Sequence, residues 1–225
     1  MDEEKVTFNR KIVKMLSFQD FFTACAGKWT TERIYHYLQE GQIERSYTEF
    51  RVTTIAPAQK EQILSSILSE KKVDFEKISE QKVELPGFAI AFDTRSETGE
   101  TVSMSLQALF VPDSYVVGDG SGSEIPPPLA AQVEPSGEII KGFYLRDEGY
   151  SEAGAILGRF TYQPTRQTLE MTTYYRRSVA VDQMRLVSPD LRIRTIFTYK
   201  RPETREEPPS IIDLVGFGVE HKQPT

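Results

Sequence analysis

From Lys28 onward the chain is a succession of about ten short runs rich in β-branched and aromatic residues, each closed by turn residues. No other feature limits the fold as strongly. The runs lie at 28–38, 45–56, 87–94, 101–111, 138–146, 155–162, 168–177, 179–187, 191–200 and 210–221. Gly41, Ser96-Glu-Thr-Gly99, Gln163-Pro-Thr-Arg166 and Ser188-Pro-Asp190 supply turns short enough for hairpins. A meander of hairpins leaves two unpaired edges unless it closes on itself. The expected fold is therefore mainly β, a ten-stranded up-and-down antiparallel barrel. A two-sheet sandwich answers the same pattern and stays open as the alternative, whereas the lack of an internal repeat argues against a propeller.

Two helices interrupt the strands. Ser17 is placed to cap a helix over 18–25, in which Phe18, Phe21, Phe22 and Cys25 share one face before Gly27 ends it. After the second strand, Pro57 suits a first helical turn, and Ile63, Leu64, Ile67 and Leu68 form the apolar stripe of a helix ending near Lys71. A charged connection follows it. The stretch 112–137, dense in Gly, Ser and Pro, is expected to be a long mobile loop inside one domain spanning 1–225. A chain of this length can bury about 70% of its extended surface, enough for a core or a ligand cavity without metals or disulfides.

Composition removes several function classes. With 27 Lys and Arg against 33 Asp and Glu, the net charge of −6 offers no global attraction to nucleic acid or to an anionic membrane. The single cysteine, Cys25, allows no internal disulfide, and the N-terminal MDEEKVTFNRKIVK lacks the apolar stretch of a signal peptide, so a reducing, cytoplasmic setting is expected. No apolar run approaches the ~20 residues of a membrane span. The two histidines, His36 and His221, have neither metal-ligand spacing nor a GxSxG elbow to serve, which argues against zinc and Ser-His-Asp chemistry.

What remains are aromatic and charged residues on strands. Gly27-Lys28-Trp29, between a short helix and the first strand, resembles the G-x-W of the lipocalin and fatty-acid-binding superfamily, in which the tryptophan closes one barrel end and a late arginine packs on it. If Trp29 points inward, alternation sends Thr31, Arg33, Tyr35 and Tyr37 inward too. An inward arginine must meet an anion or carry a large desolvation cost, so the ligand is expected to bear carboxylates. On the late strands, Arg192 and Arg194 share a face. A three-residue loop at 189–191 would put Asp182 and Met184 on that face, whereas a two-residue loop would put Asp182 opposite; periodicity leaves both open.

Phe21-Phe22, Ala26-Gly27-Lys28-Trp29, Thr31-Glu32-Arg33 with His36, Glu148-Gly149-Tyr150-Ser151-Glu152, Gly158-Arg159 and Ser188-Pro-Asp-Leu-Arg-Ile-Arg-Thr195 together resemble the CpcS/CpeS/CpcU phycobiliprotein chromophore lyases. The resemblance runs from Ser17 to His221. It implies a lipocalin-like barrel that binds a phycobilin, such as phycocyanobilin or phycoerythrobilin, as substrate. The bilin would be attached through a thioether to a cysteine of an apo-phycobiliprotein, with no cofactor or metal. It further implies Asp182 and Arg192 as catalytic residues. Asp182 stands where the family has a glutamate facing the pyrrole nitrogens, and Arg192 and Arg33 would pair with the bilin propionates. Arg194 would do the same or pack on Trp29, with Glu220, Trp29 and Tyr175 completing the ligand-binding set.

The sequence departs from the family pattern at Asp182, one methylene shorter than glutamate, at Arg185, where an aromatic residue is usual, and along Thr30-Thr-Glu-Arg-Ile-Tyr-His36. Two further readings therefore stand beside a self-sufficient lyase: a U-type subunit of a heterodimer with an S-type lyase, and a non-catalytic bilin or lipid carrier. A homodimer or such a heterodimer is the expected assembly, in cyanobacterial cytoplasm or plastid stroma.

Overall fold

In the computed structural model, which describes residues 15–67, 72–117, 125–133, 137–147, 155–204 and 206–224, the chain opens with helix α1 (Phe18–Cys25). Ser17 caps it, Oγ accepting from the Asp20 backbone N–H at 3.1 Å, and Phe21, Phe22 and Cys25 form its buried face. Gly27, at φ +130°, turns the chain into β1 (Gly27–Tyr37), a backbone geometry that suits a residue without Cβ. Next come β2 (Gln42–Thr53), α2 (Pro57–Ile67), β3 (Lys72–Val73), α3 (Phe75–Glu80), β4 (Gly87–Ser96), β5 (Thr101–Pro112) and β6 (Val116–Val117). The remainder is strand and turn: β7 (Ile140–Arg146), β8 (Ile156–Gln163), β9 (Thr168–Tyr174), β10 (Ser178–Ser188), β11 (Leu191–Lys200) and β12 (Ile212–Lys222).

Ten of these strands close one antiparallel barrel in the order β1, β12, β11, β10, β9, β8, β7, β5, β4, β2, with β2 returning to β1. Each has two neighbours, so no edge is left and the sandwich alternative is excluded. β3 and β6 pair separately, outside the barrel. The sequence pattern did not reveal these two strands or α3, which is six residues long and capped by Asp74, Oδ1 accepting from the Lys77 N–H at 2.9 Å. So short a helix gives periodicity too few turns to register. β2 begins at Gln42 rather than at residue 45, because the hairpin turn is confined to 38–41 with Gly41 at φ +67°. The end expected for α2, near Lys71, lies outside the described residues.

α1 plugs one end of the barrel. Phe18 stacks on Phe160 with centroids 5.2 Å apart, Phe22 packs against Phe110 at 4.7 Å, and Tyr162 Oη donates to the Leu16 carbonyl at 2.8 Å. Burying Phe21 and Phe22 contributes roughly 1.5–3 kcal/mol each. Two sectors of the outer wall are also covered. Ile63 and Leu64 of α2 pack with Leu109, Val111, Phe143 and Leu145 of β5 and β7, and Ala131 packs with Val179, Val181 and Tyr199 of β10 and β11. Ala131 belongs to the 112–137 connection. Gln183 Nε2 donates to the Ala130 carbonyl at 2.7 Å, and Ile125 is buried, so residues 125–133 lie packed on the barrel. Residues 118–124 and 134–136 are outside the described set.

Candidate functional site

Strand alternation on β1 places Trp29, Thr31, Arg33 and Tyr35 on the inner face. Trp29 is buried against the plug, its Nε1 donating to the Cys25 carbonyl at 2.9 Å. The Arg192 guanidinium lies 4.7 Å from the Trp29 ring centroid and 5.4 Å from that of Phe50. Arg192, not Arg194, is therefore the arginine that packs on the tryptophan.

The hairpin between β10 and β11 resolves which residues share a face. The turn is two residues long, yet Leu186 pairs with Arg192 and Ser188 with Leu191, leaving Val187 as a bulge. That extra residue restores the parity a two-residue loop would invert, so Asp182, Met184, Arg192 and Arg194 all face inward.

Across the neighbouring strands, Gly218 of β12 sits between Arg33 of β1 and Arg194 of β11, and Glu220 sits between Thr31 and Arg192. A Cβ on Gly218 would lie 2.9 Å from Thr31 Oγ1 and 3.1 Å from Arg33 Cγ, so its absence makes room for the arginine. Three guanidiniums converge on the fully buried Glu220: Arg192 through Nε, Arg194 Nε at 3.1 Å and Arg33 Nη2 at 3.4 Å. Burial opposes ionisation of Glu220, but the charges of Arg192, Arg194 and Arg33 outweigh it and hold the carboxyl down to about 2. Arg194 also donates through Nη1 to Asp182 Oδ2 at 2.8 Å. The other Asp182 oxygen, Oδ1, is buried without a hydrogen-bond partner among the described residues.

Above this charged layer the barrel encloses a cavity of about 490 Å³, within the range of small-molecule sites. Arg33 and Tyr35 of β1, Asp182 of β10 and Arg194 of β11 line its polar side. Phe88, Ile90 and Phe92 of β4 with Met104, Leu106 and Ala108 of β5 line the apolar side. Tyr144 and Arg146 of β7, Thr173 of β9 and Tyr175 are also part of the wall. Such a chamber suits a flat apolar molecule with N–H donors for Asp182 and acid groups for the arginines.

Of the residues picked out from the sequence, Arg33, Tyr175, Asp182 and Arg194 line the cavity. Trp29, Arg192 and Glu220 do not; they are fully buried beneath it. Arg192 turns its guanidinium to the indole and Glu220 and so supports Trp29 from beneath the cavity. Glu220 and Trp29 likewise form the floor beneath the cavity. Sequence reasoning missed Arg146, Tyr144 and the apolar wall. Parity along β7 was their only signal, since an inward Tyr144 implies an inward Arg146. The 148–152 segment lies outside the described residues. Cys25 is buried on the inner face of α1, where desolvation pushes its thiol up, and no cysteine or histidine is among the described residues lining the cavity.

Residues 17–122 and 129–222 match the sequence profile of a family described as CpeS-like protein. The chain belongs to the CpeS-like family. Chromophore lyase CpcS/CpeS 1 of Synechococcus sp. (strain JA-3-3Ab) is 39% identical over 206 residues, spanning 91% of this chain and 96% of that protein. The S-type phycobiliprotein lyase CPES of Guillardia theta has a similar fold, with a TM-score of 0.56 at 16% identity and coverage of 93% of this chain and 94% of that one. The barrel is thus the fold of a CpeS-like protein, and the converging arginines and Asp182 stand inside it. Among the described residues, no helix is long and apolar enough to cross a membrane.

Proposed function

We propose that this CpeS-like chain is a phycobiliprotein chromophore lyase, or an obligate subunit of one, whose single lipocalin-like domain binds a phycobilin and delivers it to a cysteine of an apo-phycobiliprotein. One observation carries the reading: a chamber with Asp182 flanked by arginines on one side and an apolar wall on the other, lined by no thiol of its own. The Asp182 carboxylate is the acceptor offered to the pyrrole N–H groups, and Arg33 and Arg194 hold propionate. The thiol comes from the acceptor protein. Its sulfur bonds to the ethylidene carbon of the bilin A-ring while the thiol proton ends on the ring, so the addition balances without oxidant, reductant or cofactor. Catalysis is orientation and control of bilin protonation by Asp182. The assembly is a homodimer or a heterodimer with an S-type lyase, working in cyanobacterial cytoplasm or plastid stroma.

Co-expression with a bilin source and an apo-phycobiliprotein should give a coloured adduct that survives denaturation. No adduct, with or without an S-type partner, would refute the proposal. Asp182→Asn should slow transfer by about 100-fold while the variant still retains bilin; an unchanged transfer rate would remove Asp182 from the chemistry.

A further inference from the structure

We infer that Arg146, with Tyr175, forms a second carboxylate subsite on the wall of the cavity away from Arg33 and Arg194, so that the two acid groups of one ligand are held apart. The inference rests on the bilin-binding reading above and adds to it a residue and a geometry. Arg146 ends β7, is only 6% exposed, and lines the cavity. Its guanidinium carbon lies 6.0 Å from the Tyr144 ring centroid and 5.9 Å from that of Tyr175, and Nη2 donates to Tyr175 Oη at 2.6 Å. Two aromatic rings and a hydroxyl therefore fix the orientation of the fork before any ligand arrives.

The barrel order gives this position its meaning. β7 is four strands from β1 through β2, and six through β12, so Arg146 and Arg33 stand on different sides of the chamber. β10, which carries Asp182, lies three strands from each. A ligand whose N–H groups meet Asp182 thus has an arginine wall on either side, and the β4 and β5 residues Phe88, Ile90, Met104 and Leu106 close over its apolar surface. A guanidinium held in place binds carboxylate through two parallel hydrogen bonds, a geometry that lysine cannot copy. Among the groups near this subsite, Tyr175 also has its backbone carbonyl engaged by Arg201 Nη1, which ties the residue down from outside.

The test uses the full chain titrated with phycocyanobilin and with its dimethyl ester, followed by bilin absorbance. Arg146→Gln should weaken binding of the free acid by roughly 10- to 100-fold, yet bind the ester as the wild type does. Arg146→Lys, which keeps the charge and is the variant to use if the glutamine form is unstable, should also lose free-acid affinity while leaving ester affinity unchanged. Equal losses for acid and ester in both variants would mean that Arg146 acts through the fold, and would overturn the inference. Failure of the wild type to bind either compound would instead overturn the bilin-binding reading, and the subsite with it.

Discussion

Replacing Glu220 by glutamine tests the charged floor directly. The side chain is fully buried and receives Arg192, Arg194 and Arg33, so the substitution leaves three guanidiniums facing an amide. Two routes give the cost. The carboxyl is held from 4.5 down to about 2, a shift worth about 3 kcal/mol at roughly 1.4 kcal/mol per unit. Breaking a buried ion pair by removing one partner costs about 3–5 kcal/mol. Urea unfolding at pH 7 should therefore show a loss of about 3–5 kcal/mol. Fluorescence of the single tryptophan, Trp29, is the natural readout, since it rests on Arg192, which Glu220 holds. The pH dependence adds a signature. A carboxyl whose folded value is depressed stabilises fully above its unfolded value and loses that contribution as pH falls through the folded one. The gap between wild type and Glu220→Gln should thus be constant above about pH 4.5 and close toward pH 2. A gap below about 1 kcal/mol at pH 7, the size of an exposed pair, or one that persists unchanged to pH 2.5, would refute this account of the floor.

Glu170 should behave in the opposite sense. Burial pushes its carboxyl up to about 7, although the Thr172 and Thr161 hydroxyls donate to it, so folding favours the protonated form. The stability this gives is present below about 4.5 and is lost as pH rises through 7, by about 3 kcal/mol in total. Thermal unfolding at pH 5.5, 7 and 8.5 should show the wild type falling relative to Glu170→Gln, and parallel profiles would exclude the assignment. Gly218→Ala brings a methyl to 2.9 Å from Thr31 Oγ1 and 3.1 Å from Arg33 Cγ. It should cost about 1–3 kcal/mol by overpacking and weaken bilin binding through displacement of Arg33; unchanged bilin affinity would show that Gly218 does not set that arginine.

The fold was legible because its signals are local. Each strand carries its own alternation, each hairpin its own turn residues, and Ser17 its own cap, so the barrel and α1 follow from short windows of sequence. The inward set on β1 followed the same way, from Trp29 and a period of two. The site was only half legible, because its decisive features are not local. Whether Asp182 joins the arginines turns on a bulge at Val187, and a slip of one residue would have reversed the face. Which arginine meets Trp29 depends on the registers of β11 against β12 and of β12 against β1, pairings that join opposite ends of the chain. Arg146 was hidden for another reason. β7 is covered inside by the core and outside by α2, so Phe143, Tyr144 and Leu145 are all buried and read as one apolar run without a visible face.

The charged floor cannot be explained by stability alone. A buried ion network replaced by apolar side chains of similar volume is often neutral or stabilising by about 1–4 kcal/mol, and α1 already supplies an apolar plug directly below. Arg192 and Glu220 nevertheless occupy this level, and Glu220 holds Arg33 and Arg194 where the cavity begins. Arg33 contacts Glu220 at 3.4 Å through one nitrogen, a longer contact than that of Arg194 at 3.1 Å, and Arg194 divides its nitrogens between Glu220 and Asp182. In this cluster three guanidiniums share two carboxylates, so one positive charge is in excess. A ligand carboxylate entering from the cavity neutralises that excess without dismantling the floor. Arginines already oriented by Glu220 lose little freedom when they bind it, and preorganisation of this kind returns as affinity. On this reasoning Glu220 is a positioning residue, and its substitution should weaken bilin binding even in a variant folded well enough to be measured.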